Sequence, residues 1–158
     1  MKENDNMYFR ARKDAAINNE KLYSREGAAE LLGVSVSTLA DYELGNTKVV
    51  PVDKVSLMAN LYGCPELKTR YCKQECPIGR TMPLAIKTGS VEGVVIRFLR
   101  EFDEGKLDDM RASLVEIASD GCVDENEKIE LRAIMKMVDD LSLVLSEMKL
   151  FGEKAMRG

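Results

Sequence analysis

The 158 residues include no histidine, so the chain lacks the commonest general base and the commonest transition-metal ligand. It also has no glycine-rich phosphate-binding loop and no nucleophile-elbow motif. Apolar residues never run long enough to cross a membrane, and the first six residues are polar and acidic, unlike a signal peptide. These absences argue against an enzyme and a membrane protein, and we expect a protein of the cytoplasm.

Cysteine is scarce, and three of the four cysteines lie close together in the sequence. Cys64, Cys72 and Cys76 fall within thirteen positions, and two of them precede a proline. Three thiolates can bind zinc or an iron–sulfur cluster, and a Cys-Pro pair can offer a thiolate to haem. However, their spacing matches no established metal motif, and free cysteines often pack as small apolar residues. We therefore expect reduced thiols, with no metal and no cofactor.

Residues 22–45 carry the strongest local pattern in the chain. Ser24 and Ser35 each precede a short helical pattern and can act as N-caps, while Gly33 can end the first helix in the left-handed conformation. The predicted inward-facing residues are Ala28, Ala29, Leu31 and Leu32 on the first helix, and Leu39 and Tyr42 on the second. The opposite face of the second helix would be free to enter an external groove.

This pattern resembles the helix-turn-helix of the lambda-repressor and Cro-like family, often called the XRE family. The resemblance runs through Ser24, Glu26, Ala29, Leu32-Gly33-Val34-Ser35, Leu39, Tyr42-Glu43 and Gly45. A second block resembles the fourth helix of the family and consists of Pro51, Val55, Met58, Ala59 and Leu61-Tyr62-Gly63. The alternative is an ordinary helical hairpin, against which the second block argues. The resemblance covers about residues 7–75 and implies a five-helix domain that binds double-stranded DNA.

The resemblance also implies the residues that contact DNA. The recognition helix, about Ser35–Leu44, would dock in the major groove. Val36, Ser37, Thr38 and Asp41 would face base edges, and Arg25, Asn46 and Lys48 would contact phosphate. Valine can touch a thymine methyl, hydroxyls can donate or accept, and a carboxylate can accept from a cytosine amine. The family often has Gln or Arg at the base-reading positions, whereas this helix has no long donor and one anion.

Charge is distributed unevenly along the chain. Residues 1–76 contain 11 basic and 11 acidic residues, whereas the remainder contains 12 basic and 16 acidic residues and carries the whole net charge of −4. The segments that flank DNA in the family contain a few cations, namely Arg10, Arg12, Lys13, Lys21, Arg25 and Lys48. So few phosphate contacts predict weak binding by one copy, and tight binding would need two copies acting together.

The second half is predicted to be helical as well. Two prolines and two glycines in residues 77–90 indicate a linker between a DNA-binding domain at 1–76 and a helical dimerisation or interaction domain at 91–158. The last and longest helix has apolar residues at spacings of three and four, at Leu131, Ile134, Val138, Leu141, Leu145 and Met148. We predict that Ile134, Val138, Leu141 and Leu145 line a dimer seam, with packing inside one chain as the alternative.

Before this helix, residues 119–127 admit two interpretations. Oxygen ligands at Glu116, Asp120, Asp124 and Glu127 indicate a calcium loop around Gly121, but Ala118 occupies a position that requires an oxygen ligand. Alternatively, Gly121 ends one helix while Asp124 and Glu127 form a capping box at the start of the next. We favour the capping box.

Taken together, these features predict an all-α protein with a repressor-like N-terminal domain and a C-terminal helical hairpin or bundle that contains a long last helix. We expect a sequence-specific transcriptional regulator, a repressor, that binds DNA as a homodimer. The alternative is an antitoxin-like or adaptor module that keeps this fold but binds a protein through its acidic half.

Overall fold

The computed structural model describes residues 5–156, and this part of the chain is all-helical with no strand. It forms two compact units. Unit 1 extends to Met82 and includes the chain again from Glu153, whereas unit 2 is Pro83–Gly152. The predicted all-α class is confirmed. Within residues 5–156, no helix is both long and apolar enough to span a membrane.

Unit 1 contains the five helices predicted for the N-terminal domain, together with two short 3₁₀ helices at Glu20–Tyr23 and Gly79–Thr81. The five helices are α1 (Met7–Ala16), α2 (Arg25–Leu32), α3 (Val36–Leu44), α4 (Val52–Leu61) and α5 (Glu66–Gln74). Five helices in this order confirm the predicted repressor-like architecture.

The predicted caps set the boundaries of α2 and α3. Ser24 Oγ accepts a hydrogen bond from Gly27 N at 3.0 Å, and Ser35 Oγ accepts one from Thr38 N at 3.0 Å. Gly33 has a φ of 61°, in the left-handed region where a side chain would be strained, so it ends α2 and allows the sharp turn. Local sequence therefore determines the turn between α2 and α3.

One apolar core holds unit 1 together, and α2 and α3 contribute most of the residues predicted to face inward. Ala28, Ala29, Leu32, Leu39 and Tyr42 are buried in this core. Leu31 is not buried: 43% of its surface is exposed, so that prediction was wrong. Neighbouring residues of a helix project about 100° apart, which leaves Leu31 on the solvent side when Leu32 points into the core.

Unit 2 is built from α6 (Val91–Glu101), α7 (Glu104–Ile117) and α8 (Glu125–Ala155), of which α8 is the long last helix and ends in unit 1. The start of α8 is the predicted capping box. Glu127 N donates to Asp124 Oδ1 and Asp124 N donates to Glu127 Oε2, both at 2.8 Å. The other half of that interpretation was wrong: α7 ends at Ile117 with Ala118 as its C-cap, so Gly121, at a φ of 72°, lies in the turn that follows and does not end the helix.

Candidate nucleic-acid interface

Helix α3 has one buried face and one exposed face, as predicted. Leu39 and Tyr42 anchor it in the core. On the other side, Val36, Ser37 and Asp41 are exposed and Thr38 is half-buried. The four residues predicted to read bases therefore occupy a surface that the domain itself does not cover.

Three hydroxyl groups meet at the N-terminus of α3. Ser35 Oγ lies 2.9 Å from Ser37 Oγ and 2.7 Å from Thr38 Oγ1. Each hydroxyl can donate or accept, so the cluster can adjust its proton positions to an incoming acceptor or donor. The N-terminus of a helix also carries partial positive charge, which favours an approaching anion such as a phosphate.

Asp41 and Asn46 belong to different predicted roles, but the structure brings them together. Asn46 Nδ2 donates to Asp41 Oδ1 at 3.0 Å, and Asn46 N donates to Asp41 O at 2.9 Å. This pairing fixes the carboxylate of Asp41 and leaves its second oxygen available as an acceptor. It also uses part of the amide group of Asn46 that was predicted for phosphate.

Glu43 lies on the inner side of α3 and is the centre of a buried ion-pair network. Its carboxylate accepts hydrogen bonds from Arg12 Nε at 2.5 Å, from Arg12 Nη2 at 2.9 Å and from Arg25 Nε at 2.7 Å. Arg12 Nη1 also donates to Leu22 O at 2.8 Å. These hydrogen bonds to Glu43 are the main cause of a raised pKa for Arg12. The network therefore connects α3 to α1, to the start of α2 and to the 3₁₀ helix that lies between α1 and α2.

This network changes the set of cations that is available to DNA. Arg12 was expected among the cations near DNA, but it is buried, so that expectation was wrong. Arg25 remains partly exposed even though its Nε is bonded to Glu43, and Lys48 is exposed. Arg10 pairs with Asp5 at 2.9 Å. Fewer cations are therefore available to contact DNA phosphates than the sequence indicated.

Three of the four cysteines pack as small apolar residues. Cys64, Cys72 and Cys76 lie half-buried against the core of unit 1, while Cys122 is exposed. Burial raises the pKa of the Cys64 thiol, and the nearby Glu66 carboxylate, to which Cys64 Sγ donates at 3.6 Å, acts in the same direction. Among residues 5–156, no group of three or more histidine, cysteine, aspartate or glutamate residues is arranged to hold a metal.

The four residues predicted for a dimer seam lie at different depths in unit 2. Ile134 is buried and Leu141 is half-buried, whereas Val138 and Leu145 are exposed. The apolar repeat of α8 therefore contributes both to the interior of unit 2 and to its surface.

The fold and the exposed face of α3 define a DNA-binding helix-turn-helix domain. A family model described as Helix-turn-helix matches residues 15–68. This segment is therefore a helix-turn-helix of the lambda-repressor and Cro-like family, as the resemblance implied. The match ends within α5 and does not extend to unit 2. Comparisons with curated proteins and with solved structures found no match.

Proposed function

We propose that the protein is a sequence-specific transcriptional repressor that docks α3 in the major groove of double-stranded DNA and acts as a homodimer. The observation that carries this proposal is the exposed, polar face of α3 on a helix whose other face is fixed in the core. A rigidly held helix loses little entropy on entering a groove. We propose no catalytic role, and a cytoplasmic location remains our expectation.

Base recognition would rely on short side chains. Val36 would contact a thymine methyl, Ser37 and Thr38 would donate to or accept from base edges, and Asp41 would accept from a cytosine amine. The hydrogen bond from Asn46 holds the Asp41 carboxylate in one orientation. A carboxylate fixed in this way favours a base whose amine group lies at the matching position in the groove. Short side chains need a close approach, so the shape of the groove would also contribute to specificity.

Phosphate contacts would come from Arg25, Lys48 and the remaining donor capacity of Asn46. Each phosphate that a protein neutralises adds to affinity and to its salt dependence, so a set this small gives weak binding by one copy. Two copies on one duplex would restore tight binding. We propose that unit 2 supplies this pairing and that α8 carries its seam through the exposed members of the predicted set, Val138 and Leu145. A dimer seated on an operator would repress by blocking access to the DNA.

Selection of bound sequences from random duplexes tests this proposal. We expect the wild-type protein to enrich one motif at about 50 mM salt, where phosphate attraction is strong. Ser37→Glu should enrich none, because a carboxylate would then face both bases and phosphates. Ser119→Glu is the matched control, since Ser119 is exposed in unit 2, far along the chain from α3. No motif for the wild type would contradict the proposal.

A second candidate function is an antitoxin-like or adaptor module that binds a protein. It is favoured by three exposed apolar side chains at or just after the end of α3, namely Leu44, Val49 and Val52. DNA interfaces are more polar and more positively charged than this segment. If Val49→Ser and Val52→Ser left the selected DNA motif and its affinity unchanged, DNA binding would not depend on this patch, which would then be free for a protein.

A further inference from the structure

Helix α8 has apolar residues both in the interior of unit 2 and on its surface. One set, Ile134, Val144 and Leu150, is buried. Polar contacts within unit 2 lie on both flanks of α8 as seen from Leu131: Glu130, about 100° to one side, accepts from Ser113 at 2.6 Å, and Ser146 Oγ, about 60° to the other, accepts from Ala85 N at 3.0 Å. These residues of α8 pack within their own unit.

The second set forms a stripe of Leu131, Met135, Val138 and Leu145. Met135, Val138 and Leu145 are 53%, 36% and 44% exposed, and Leu131 is half-buried. At about 100° per residue, the four side chains fall within a sector of about 80° on α8. Their spacings of four, three and seven are those of a helix that packs lengthwise on another helix. The described part of this chain leaves most of this stripe uncovered.

We propose that the stripe of one copy packs against the same stripe of a second copy, with the two α8 helices antiparallel and Val138 at the two-fold axis. This inference deepens the homodimer of the proposed function and rests on it. A two-fold interface uses one surface twice, so any residue a given distance before Val138 lies opposite the residue at the same distance after it. Leu131 and Leu145 have this relation, because each is seven positions from Val138, and the position that matches Met135 is the half-buried Leu141.

Charge at the two ends of the stripe selects the antiparallel orientation. Glu127 lies eleven positions before Val138 and Lys149 lies eleven positions after it. An antiparallel pair therefore places Glu127 opposite Lys149 of the second copy at both ends. A parallel pair would place glutamate against glutamate and lysine against lysine, which is unfavourable. The occupant that fits both the apolar spacing and the charges is another copy of this chain.

Light scattering on the full chain, without DNA, tests the pairing. We expect a dimer for the wild type at micromolar concentration and a monomer for Val138→Glu, because an unpaired carboxylate at the centre of the seam should raise the dissociation constant about a hundredfold or more. Ile129→Glu is the matched control: Ile129 is an exposed apolar residue of α8 about 180° away from Val138. It should remain a dimer. A monomeric wild type, or a dimeric Val138→Glu, would overturn the proposal.

A charge swap tests the orientation and does not depend on the folding of one variant. Leu131→Glu alone and Leu145→Lys alone should each weaken the dimer. In the antiparallel pair the double variant places glutamate opposite lysine at both ends, so it should bind at least about tenfold more tightly than either single variant. Circular dichroism of each variant should show the helix content of the wild type. A double variant weaker than both single variants would overturn the antiparallel pairing.

These outcomes separate this inference from the proposed function. A dimer that enriches no DNA motif would contradict the DNA-binding proposal and support the pairing. A monomeric wild type that enriches a motif would overturn the pairing while the DNA contacts of α3 remain supported.

Discussion

Glu43 is fully buried, and its carboxylate lies within hydrogen-bonding distance of two arginines. A buried ion pair adds little net stability by itself, but removing one partner leaves an uncompensated charge in the core. Arg12 is itself buried, so it could not turn to water if Glu43 were neutral. The network thus makes the position of α3 dependent on one residue that faces away from the proposed DNA surface.

We predict that Glu43→Gln lowers the free energy of unfolding by about 3–5 kcal/mol, because the buried guanidinium of Arg12 loses its counterion. Urea unfolding followed by circular dichroism measures this change. Glu26→Gln is the control, since Glu26 is an exposed carboxylate on α2, and it should change stability by less than about 0.5 kcal/mol. Equal changes in the free energy of unfolding for the two substitutions would show that the buried network contributes no more to stability than an exposed carboxylate.

Tyr62 presents the opposite situation, a buried polar group without a partner. Its hydroxyl makes no hydrogen bond among the described residues, and burial raises its pKa above the ordinary value of 10.0. We predict that Tyr62→Phe stabilises the protein by about 1 kcal/mol at neutral pH, because an unsatisfied buried hydroxyl is removed. Tyr23→Phe, at an exposed site, should have little effect. A clear loss of stability in Tyr62→Phe would contradict the claim that the Tyr62 hydroxyl has no hydrogen-bond partner.

The same group gives a pH dependence with a defined sign. The pKa of Tyr62 is higher in the folded state than in the unfolded state. The free energy of unfolding is therefore independent of this group below pH 10 and decreases as the pH rises further. The free energy of unfolding decreases by about 1.4 kcal/mol per pH unit in the range where the Tyr62 hydroxyl is ionised only in the unfolded state. Stability curves above pH 10 should therefore be less steep for Tyr62→Phe than for the wild type.

At the scale of elements, two helical glycines have different surroundings. A Cβ on Gly27 in α2 would lie 2.2 Å from the carbonyl oxygen of Lys21, whereas a Cβ on Gly152 in α8 would meet nothing within 4 Å. We predict that Gly27→Ala destabilises the protein by about 2 kcal/mol or more, because backbone must move. Gly152→Ala should stabilise it by about 0.5–1 kcal/mol through reduced backbone entropy. Thermal unfolding of both variants checks the two signs, and a stabilised Gly27→Ala would contradict the close approach.

The elements of unit 1 could be predicted from sequence because their determinants are local. Ser24, Gly33 and Ser35 act on backbone groups within a few residues, so their roles follow from position alone. The partnership of Arg12 with Glu43 joins residues 31 positions apart, and no local pattern reports it. In α8, the spacing of three and four predicted an apolar helix but did not show which residues turn inward, since the buried Ile134 and the exposed Val138 and Leu145 belong to the same repeat.

At the scale of the whole molecule, the two units differ in how much apolar surface they bury. Unit 1 has a continuous core from α1 to α5. Unit 2 exposes thirteen large apolar side chains and buries six apolar residues. Exposed apolar side chains that lie side by side, as in the stripe of α8, are typical of an interaction site. The arrangement agrees with a protein in which unit 1 meets DNA and unit 2 meets a second copy.

Methylation interference on the selected duplex tests the central claim most directly, namely that α3 enters the major groove. Dimethyl sulfate methylates guanine N7 in the major groove and adenine N3 in the minor groove. We predict that methylated guanines block binding of the full-length protein in two clusters on one face of the duplex, about 34 Å apart, while methylated adenines between them do not. Interference from adenine N3 alone, or from neither position, would contradict the account.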